Sequence, residues 1–228
     1  MSAELKGLEV ITAPASLKNM ALKAIKEAIW ADVLHSGSVY SEPQLAQKLG
    51  ISRTPIREAL LELAGQGFLT FIPRRGFRIK RLSVEEVHHL FTFRRAIELT
   101  VVAEIIPRIT EQNIKQIDYI HCRDNAAARA DSRSEFIRVD REFHTFLASL
   151  TENQYLIAAL ENVRDLIDWV GAKVLERSGR RREVIREHGA IVLRIRERNL
   201  AAGLQAMEEH INITEKLITD HLGTEENM

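Results

Sequence analysis

Asp140 and His144 stand four residues apart, and His188 and His210 follow at an interval of 22 residues. An Asp-x-x-x-His pair projects from one face of a helix. Imidazoles and a carboxylate together are ligands for Zn²⁺, Ni²⁺ or Mn²⁺. His188 lies eleven residues before Asn199 and His210 eleven after it. In an antiparallel hairpin turning at Asn199, both imidazoles sit at the same height. Asp140 and His144 lie a similar distance before the turn signal Thr151-Glu-Asn153, which places that pair mid-bundle too. Three imidazoles and one carboxylate at one depth describe a divalent-metal site. An i,i+4 polar pair is also routine on ordinary helices. The remaining histidines, His35, His88, His89, His121 and His221, are read as surface or hydrogen-bonded residues.

A second chemistry resides in Ser52-Arg-Thr-Pro-Ile-Arg-Glu-Ala-Leu60. As a helix, this stretch puts Arg53, Thr54, Arg57 and Glu58 on one side and Ile56, Ala59, Leu60 and Leu63 on the other. Ser52 or Thr54 suits the N-cap, and Pro55 fits a first turn, where its missing N–H has no partner to lose. Such a helix is apolar behind and basic in front, with small hydroxyl residues at its start. It suits the major groove, where arginines reach guanine edges and phosphates.

The chain has 228 residues and 45% hydrophobic content, enough for one large or two modest packed domains. No apolar run approaches the roughly 20 residues that span a bilayer, and the N-terminus lacks a signal pattern. Cys122 is the only cysteine, which excludes an internal disulfide and a cysteine-based zinc finger. A cytoplasmic protein without a membrane partner is expected. Residues 1–82 carry 12 Lys+Arg against 7 Asp+Glu, and residues 83–228 carry 20 against 25. A basic front and an acidic back suit a protein that presents one end to nucleic acid.

The elements that must position these residues are mainly helical. From Leu17 the apolar positions Met20, Ala24, Ile25, Ala28, Ile29 and Val33 predict a first helix to about Leu34. Ser41-Glu-Pro-Gln44 fits a capping box, and the helix it opens turns Leu45, Ala46 and Leu49 inward before stopping at Gly50. With the Ser52 helix this makes a helix-turn-helix. Alternating apolar residues on either side of Pro73-Arg-Arg-Gly76 predict a β-hairpin. Its tip offers Arg74 and Arg75 to phosphates or the minor groove, and Gly76 supplies an unusual backbone angle. Beyond Ser83, itself in a capping box, six helical segments are expected at about 84–106, 111–129, 132–150, 153–175, 181–198 and 200–222. Short connections predict an antiparallel all-α bundle. The expected layout is thus a tail at 1–15, a winged helix-turn-helix at 16–82, a helical domain at 83–222 and a tail at 223–228.

Leu45-Ala-x-x-Leu-Gly-Ile-Ser-Arg-Thr-Pro-Ile-Arg-Glu-Ala-Leu60, with Gly67-Phe-Leu and Arg75-Gly76, resembles the DNA-binding domain of GntR-type bacterial transcription regulators. The resemblance implies DNA contacts from Ser52, Arg53, Thr54, Arg57 and the wing tip around Gly76. Where that family often carries a basic residue before the second helix, this chain has Ser38-Val39-Tyr40. Asp140-Arg-Glu-Phe-His144, Asn153, Glu187-His188 and Glu209-His210 resemble the ligand-sensing domain of the FadR branch, in its shorter VanR-type version. That resemblance implies a divalent metal on Asp140, His144, His188 and His210, completed by a small carboxylate effector. It also implies effector contacts from Arg94, within Phe93-Arg94-Arg95-Ala-Ile-Glu98, and from Asn153. Arg194 stands where the family usually has a small residue and is expected to reshape the pocket.

The expected function is that of a homodimeric transcription factor, a repressor on a palindromic operator, governed by effector and metal. The alternative is a metal-dependent hydrolase fused to a DNA-binding domain. Against it, Glu142, Glu187 and Glu209 fall on helical positions that point away from the metal face, which leaves no evident acid/base partner.

Overall fold

A computed structural model describes residues 16–129, 132–172, 174–177 and 179–226. The expected mobile segment at 1–15 lies outside the described residues. The chain divides into two compact units, residues 1–81 and 82–228.

The first unit opens with α1, Leu17–Trp30, capped by Ser16, whose hydroxyl accepts from the Asn19 N–H at 3.2 Å. Its buried stripe is Ala21, Ile25 and Ile29. Met20 and Val33, expected inward, are exposed. The helix stops short of Leu34 because Asp32 takes a left-handed φ of 54°. The Val33 and Leu34 N–H groups then bond back to the Ala28 carbonyl at 2.8 and 3.0 Å, a left-handed cap that competes with further helix. Helix α2, Glu42–Leu49, ends at Gly50 in the left-handed region. Ser41 is its N-cap but makes no side-chain cap bond, so the expected capping box is not formed. Of its apolar residues only Ala46 is buried; Leu49 stays exposed.

Helix α3, Arg53–Gly65, buries Ile56, Ala59, Leu60 and Leu63 and leaves Arg53, Thr54 and Arg57 outside. Burying those four side chains pins α3 to the unit, so its basic face has one orientation. The hairpin follows as β2, Leu69–Ile72, and β3, Gly76–Ile79, paired antiparallel with Phe71 opposite Phe77. Phe77 and Ile79 face the core while Arg78 points out, the period-2 pattern of a half-buried strand. A third strand was not expected from the sequence. Val39–Tyr40, β1, pairs with β3, giving the order β1-β3-β2. Gly76 is required here: its φ is +119°, and a Cβ would lie 2.0 Å from the Tyr40 carbonyl oxygen.

The second unit contains α4 (Val84–Ile105), α5 (Glu111–Arg129), α6 (Arg133–Ser149), α7 (Gln154–Gly171), α8 (Arg180–Arg196) and α9 (Leu200–Glu226). Short 3-10 turns follow α4 at Ile106–Arg108 and precede α8 at Val174–Glu176. Ser83 makes the expected capping box with Glu86, at 3.0 and 3.1 Å. Asn199 caps α9, its side chain accepting from the Ala202 N–H at 3.1 Å, so α8 and α9 form the expected hairpin. Helix α9 continues through the segment read as a tail from 223; a single Gly223 costs a helix only about 1 kcal/mol and does not end it. Helix α4 packs on α9, α6 and α7, while α5 packs on α6 and α8. A core of Phe91, Val102, Phe143, Leu147, Ile191 and Ile211 joins them. Embedded in this apolar interior is an uncommon set of buried polar residues: Arg94, Glu98, Asp124, His144, Arg164, Arg180, His188 and His210.

A buried histidine cluster and a basic groove

His144 comes from α6, His188 from α8 and His210 from α9. One ring nitrogen of each lies within 4.8 Å of the others, as the matched heights implied. Each Nδ1 is held from behind by a carboxylate. Glu98 Oε2 takes His144 at 2.5 Å, Asp124 Oδ2 takes His188 at 2.6 Å, and Glu187 Oε2 takes His210 at 2.8 Å. A carboxylate only accepts, so each Nδ1 carries the hydrogen and each Nε2 lone pair is left for the centre. Phe143 stacks on His188, ring centroids 4.2 Å apart and 17° between planes, which restricts the ring's rotation. His188 Nε2 is buried and has no hydrogen-bond partner.

Burial pushes His144 down to about 3, aided by the Arg164 and Arg94 charges and opposed by Glu98. Burial likewise pushes His210 down to about 4, with His188 and Arg94 adding to it against Glu187. Both imidazoles are therefore neutral at pH 7, the form that binds metals. Asp140 approaches the cluster with Oδ1 3.6 Å from His188 Nε2. Burial disfavours its charge, but the Arg164 guanidinium bonded to Oδ2 and the three imidazoles hold its carboxyl well below the usual range. The four expected ligands are thus brought together, Asp140 beside the three imidazoles.

Two further features test the fit of a cation. Asp124 is fully buried, and its Oδ1 has no partner. Its Oδ2 accepts the His188 Nδ1–H, and a metal on the far side of His188 makes that N–H a stronger donor. Arg94 is also buried, with Nε on Glu98 Oε1 at 2.6 Å. Its Nη2 lies 3.5 Å from His144 Nε2 and 3.3 Å from His210 Nε2, so a cationic group already faces these lone pairs. The donor set and its carboxylate backing fit a divalent ion.

A cavity of about 50 Å³ opens beside the cluster, lined by Arg94, Asp140, Arg164, Asp168, Arg180, His210, Thr214 and apolar neighbours; Asp168 is itself paired with Arg164 and Arg141. Arg94 therefore borders both the histidines and this space. Asn153 does not line it; its side chain caps α7, accepting from the Tyr155 and Leu156 N–H groups at 3.0 and 3.3 Å. Arg194 does not line it either, being turned outward to Glu197 at 2.7 Å. Of the three glutamates, Glu142 is paired with Arg123 and Arg138, and Glu209 faces outward. Glu187 stands behind His210 rather than across the centre from it.

Glu98 and Asp124, the acceptors of the His144 and His188 N–H groups, were not legible in the sequence, nor were Arg164 and Arg180 as cavity walls. The i,i+4 pair Arg94/Glu98 was the one available signal, since it places both groups on a single face of α4.

In the first unit, Arg53, Arg57, Arg74, Arg75 and Gly76 line one open groove of about 640 Å³ between α3 and the wing. Ser52 and Thr54 are exposed at the start of the same helix, and the Ser52 hydroxyl is not used as a cap. Arg74 holds the wing tip with a φ of 60°. Arg53, Arg57, Arg74, Arg75 and Gly76 thus share one face of this unit; Ser52 and Thr54 do not line that groove. Among the described residues no helix is long and apolar enough to cross a membrane.

Comparison with known proteins assigns both units to described families. Residues 17–79 match the bacterial regulatory proteins of the gntR family, and residues 89–213 match the FCD domain. The uncharacterized HTH-type transcriptional regulator YdhC of Bacillus subtilis is 29% identical over 82% of this chain and 84% of its own length. The HTH-type transcriptional repressor RspR of Escherichia coli is 26% identical over 79% and 81%. Among solved structures, E. coli McbR/YncC superposes with a TM-score of 0.77 at 19% identity, covering 91% of this chain and 99% of that one. A GntR regulator from Rhodococcus sp. RHA1 gives 0.73 at 19% identity, over 88% and 96%. At these identities the two structures establish the fold.

Proposed function

Since the chain belongs to the gntR family of bacterial regulatory proteins, with an FCD domain, and is a DNA-binding transcriptional regulator rather than an enzyme, we propose that a divalent metal and a small carboxylate in its helical unit govern operator binding. Asp140, His144, His188 and His210 hold the ion, which is Zn²⁺, Ni²⁺ or Mn²⁺ by ligand type. When bound, the ion supplies positive charge that attracts an anion into a low-dielectric site. The effector occupies the cavity beside the cluster, where Arg94 offers a charge-assisted bond to its carboxylate. Asn153, fixed at the start of α7, acts on the effector only by holding that helix in place. The observation that carries this reading is the convergence of three Nε2 atoms, each with its Nδ1–H held by a separate carboxylate.

On the DNA side, a homodimer in the cytoplasm presents two α3 helices to a palindromic operator. Arg53 and Arg57 read base edges, Ser52 and Thr54 set the helix on the backbone, and Arg74, Arg75 and Gly76 place the wing. The regulator acts as a repressor, in the sense that the similar RspR is named one. Native mass spectrometry of the purified protein beside an Asp140→Ala/His144→Ala variant tests the sensor. A dimer with one metal per chain, lost in the variant, is expected. A monomer, or a protein that takes up none of the three ions when they are added, overturns the reading.

A further inference from the structure

The structure points to Glu42 as the residue that aims Arg57. Glu42 is the first residue of α2, and its carboxylate is largely shielded, 17% exposed against 62% for Arg57. Both carboxylate oxygens accept from a single atom, Arg57 Nη1, at 3.1 and 3.2 Å. The guanidinium carbon also lies 6.0 Å from the centre of the Phe71 ring on the wing. Arg57 is therefore held from two sides, by α2 and by β2. Among the described residues no hydrogen bond is made by its Nε or Nη2. Arg53, in the same groove, has neither restraint.

A guanidinium has five donors in a rigid fork. With Nη1 occupied by Glu42, the Nε–Nη2 edge keeps a fixed direction and two parallel N–H groups, the arrangement that matches guanine O6 and N7. A free arginine on a basic surface binds any phosphate in reach. One tethered through Nη1 loses that freedom and keeps the edge that reads a base. The carboxylate also lowers the local positive charge, which weakens attachment to arbitrary duplex. Glu42 thus exchanges general affinity for discrimination at one base pair. This inference rests on Arg57 reading a base, as set out above.

The test uses the full-length chain and a pool of random-sequence duplexes, comparing wild type, Arg57→Ala, Glu42→Gln and the double variant. Selected sequences give base preferences, and a fixed random duplex gives general affinity. The base pair whose preference disappears in Arg57→Ala should lose about tenfold of its preference in Glu42→Gln, with no further loss in the double variant. Affinity for random duplex should rise about two- to fivefold as one negative charge leaves the groove. Glu42→Gln keeps the side chain's shape, and a thermal melt shows that it folds. Wild-type preference in Glu42→Gln overturns the inference while leaving Arg57 as a base reader. Loss at a different base pair also overturns it, since Glu42 then touches DNA itself. If Arg57→Ala keeps every preference, the assignment of Arg57 falls and the role of Glu42 with it. A wild type that enriches no sequence overturns the operator reading beneath both.

Discussion

Asp124→Asn separates the metal reading from a purely structural one. Asp124 Oδ2 accepts the His188 Nδ1–H at 2.6 Å, and Oδ1 is buried without a partner. An asparagine keeps an oxygen for that N–H and removes the charge. Carboxylate partners behind metal-bound histidines are typically worth 10- to 100-fold in affinity, or about 1.4–2.7 kcal/mol. In saturating metal this reduces the stabilisation from binding by the same amount, which for a unit of this size lowers Tm by roughly 3–10 °C. Without metal the outcome differs. Asparagine removes a fully buried charge while keeping an acceptor for the His188 N–H, so stability changes little. The assay is a pair of thermal melts, with excess Zn²⁺ and with chelator, together with a competition titration for Zn²⁺. Unchanged metal affinity would refute the reasoning. So would an equal loss of Tm under both conditions, because the carboxylate then serves only the packing.

Three more outcomes are expected. Gly76→Ala forces a Cβ onto the Tyr40 carbonyl at a φ of +119°, a combination that costs about 3 kcal/mol and separates β1 from β3; an unchanged melt of the DNA-binding unit refutes it. Arg53→Ala removes about 1–3 kcal/mol of discrimination at one base pair, roughly 5- to 150-fold, measured as operator binding against random competitor; equal discrimination refutes its role. In chelator-treated protein, His144 and His210 stay neutral when folded, down to about 3 and about 4, while the unfolded chain takes up protons near 6.5. Their stabilisation is complete above 6.5 and declines as pH falls toward 4, by up to about 1.4 kcal/mol per pH unit for each histidine. Urea unfolding between pH 7.5 and 5 measures this, and a flat profile rules it out.

Much of the fold was legible in the sequence because it rests on periodicity. The inward face of α3, the α8–α9 hairpin about Asn199 and the Ser83 capping box all follow from spacings within one element. The matched distances of His188 and His210 from Asn199 are likewise local, and they located the cluster. What stayed hidden depends on partners distant in sequence. Strand β1 is two residues long, too short for an alternation, and exists because β3 offers it an edge. Helix α1 was given the wrong stripe because its alanines and Met20 mimic a wider apolar face than the unit covers. Asp124 and Glu98 are two among 32 acidic residues, and only the assembled bundle shows which of them meets a histidine. Asn153 fits either a ligand contact or a helix cap by sequence, and the α7 N–H groups nearby take its side chain.

The polar centre of the second unit draws on every helix around it. Helix α4 supplies Arg94 and Glu98, α5 Asp124, α6 Asp140 and His144, α7 Arg164, α8 Glu187 and His188, and α9 His210. No single helix can detach without stranding a charge or an imidazole in an apolar interior. Slow amide exchange in the middle turns of all six should therefore share one opening free energy, with faster exchange confined to helix ends. An ion or acid entering the centre then raises that common value everywhere at once. The bundle responds to a few atoms at its middle as a single body, and whatever surface it offers outward is stiffened along with the rest.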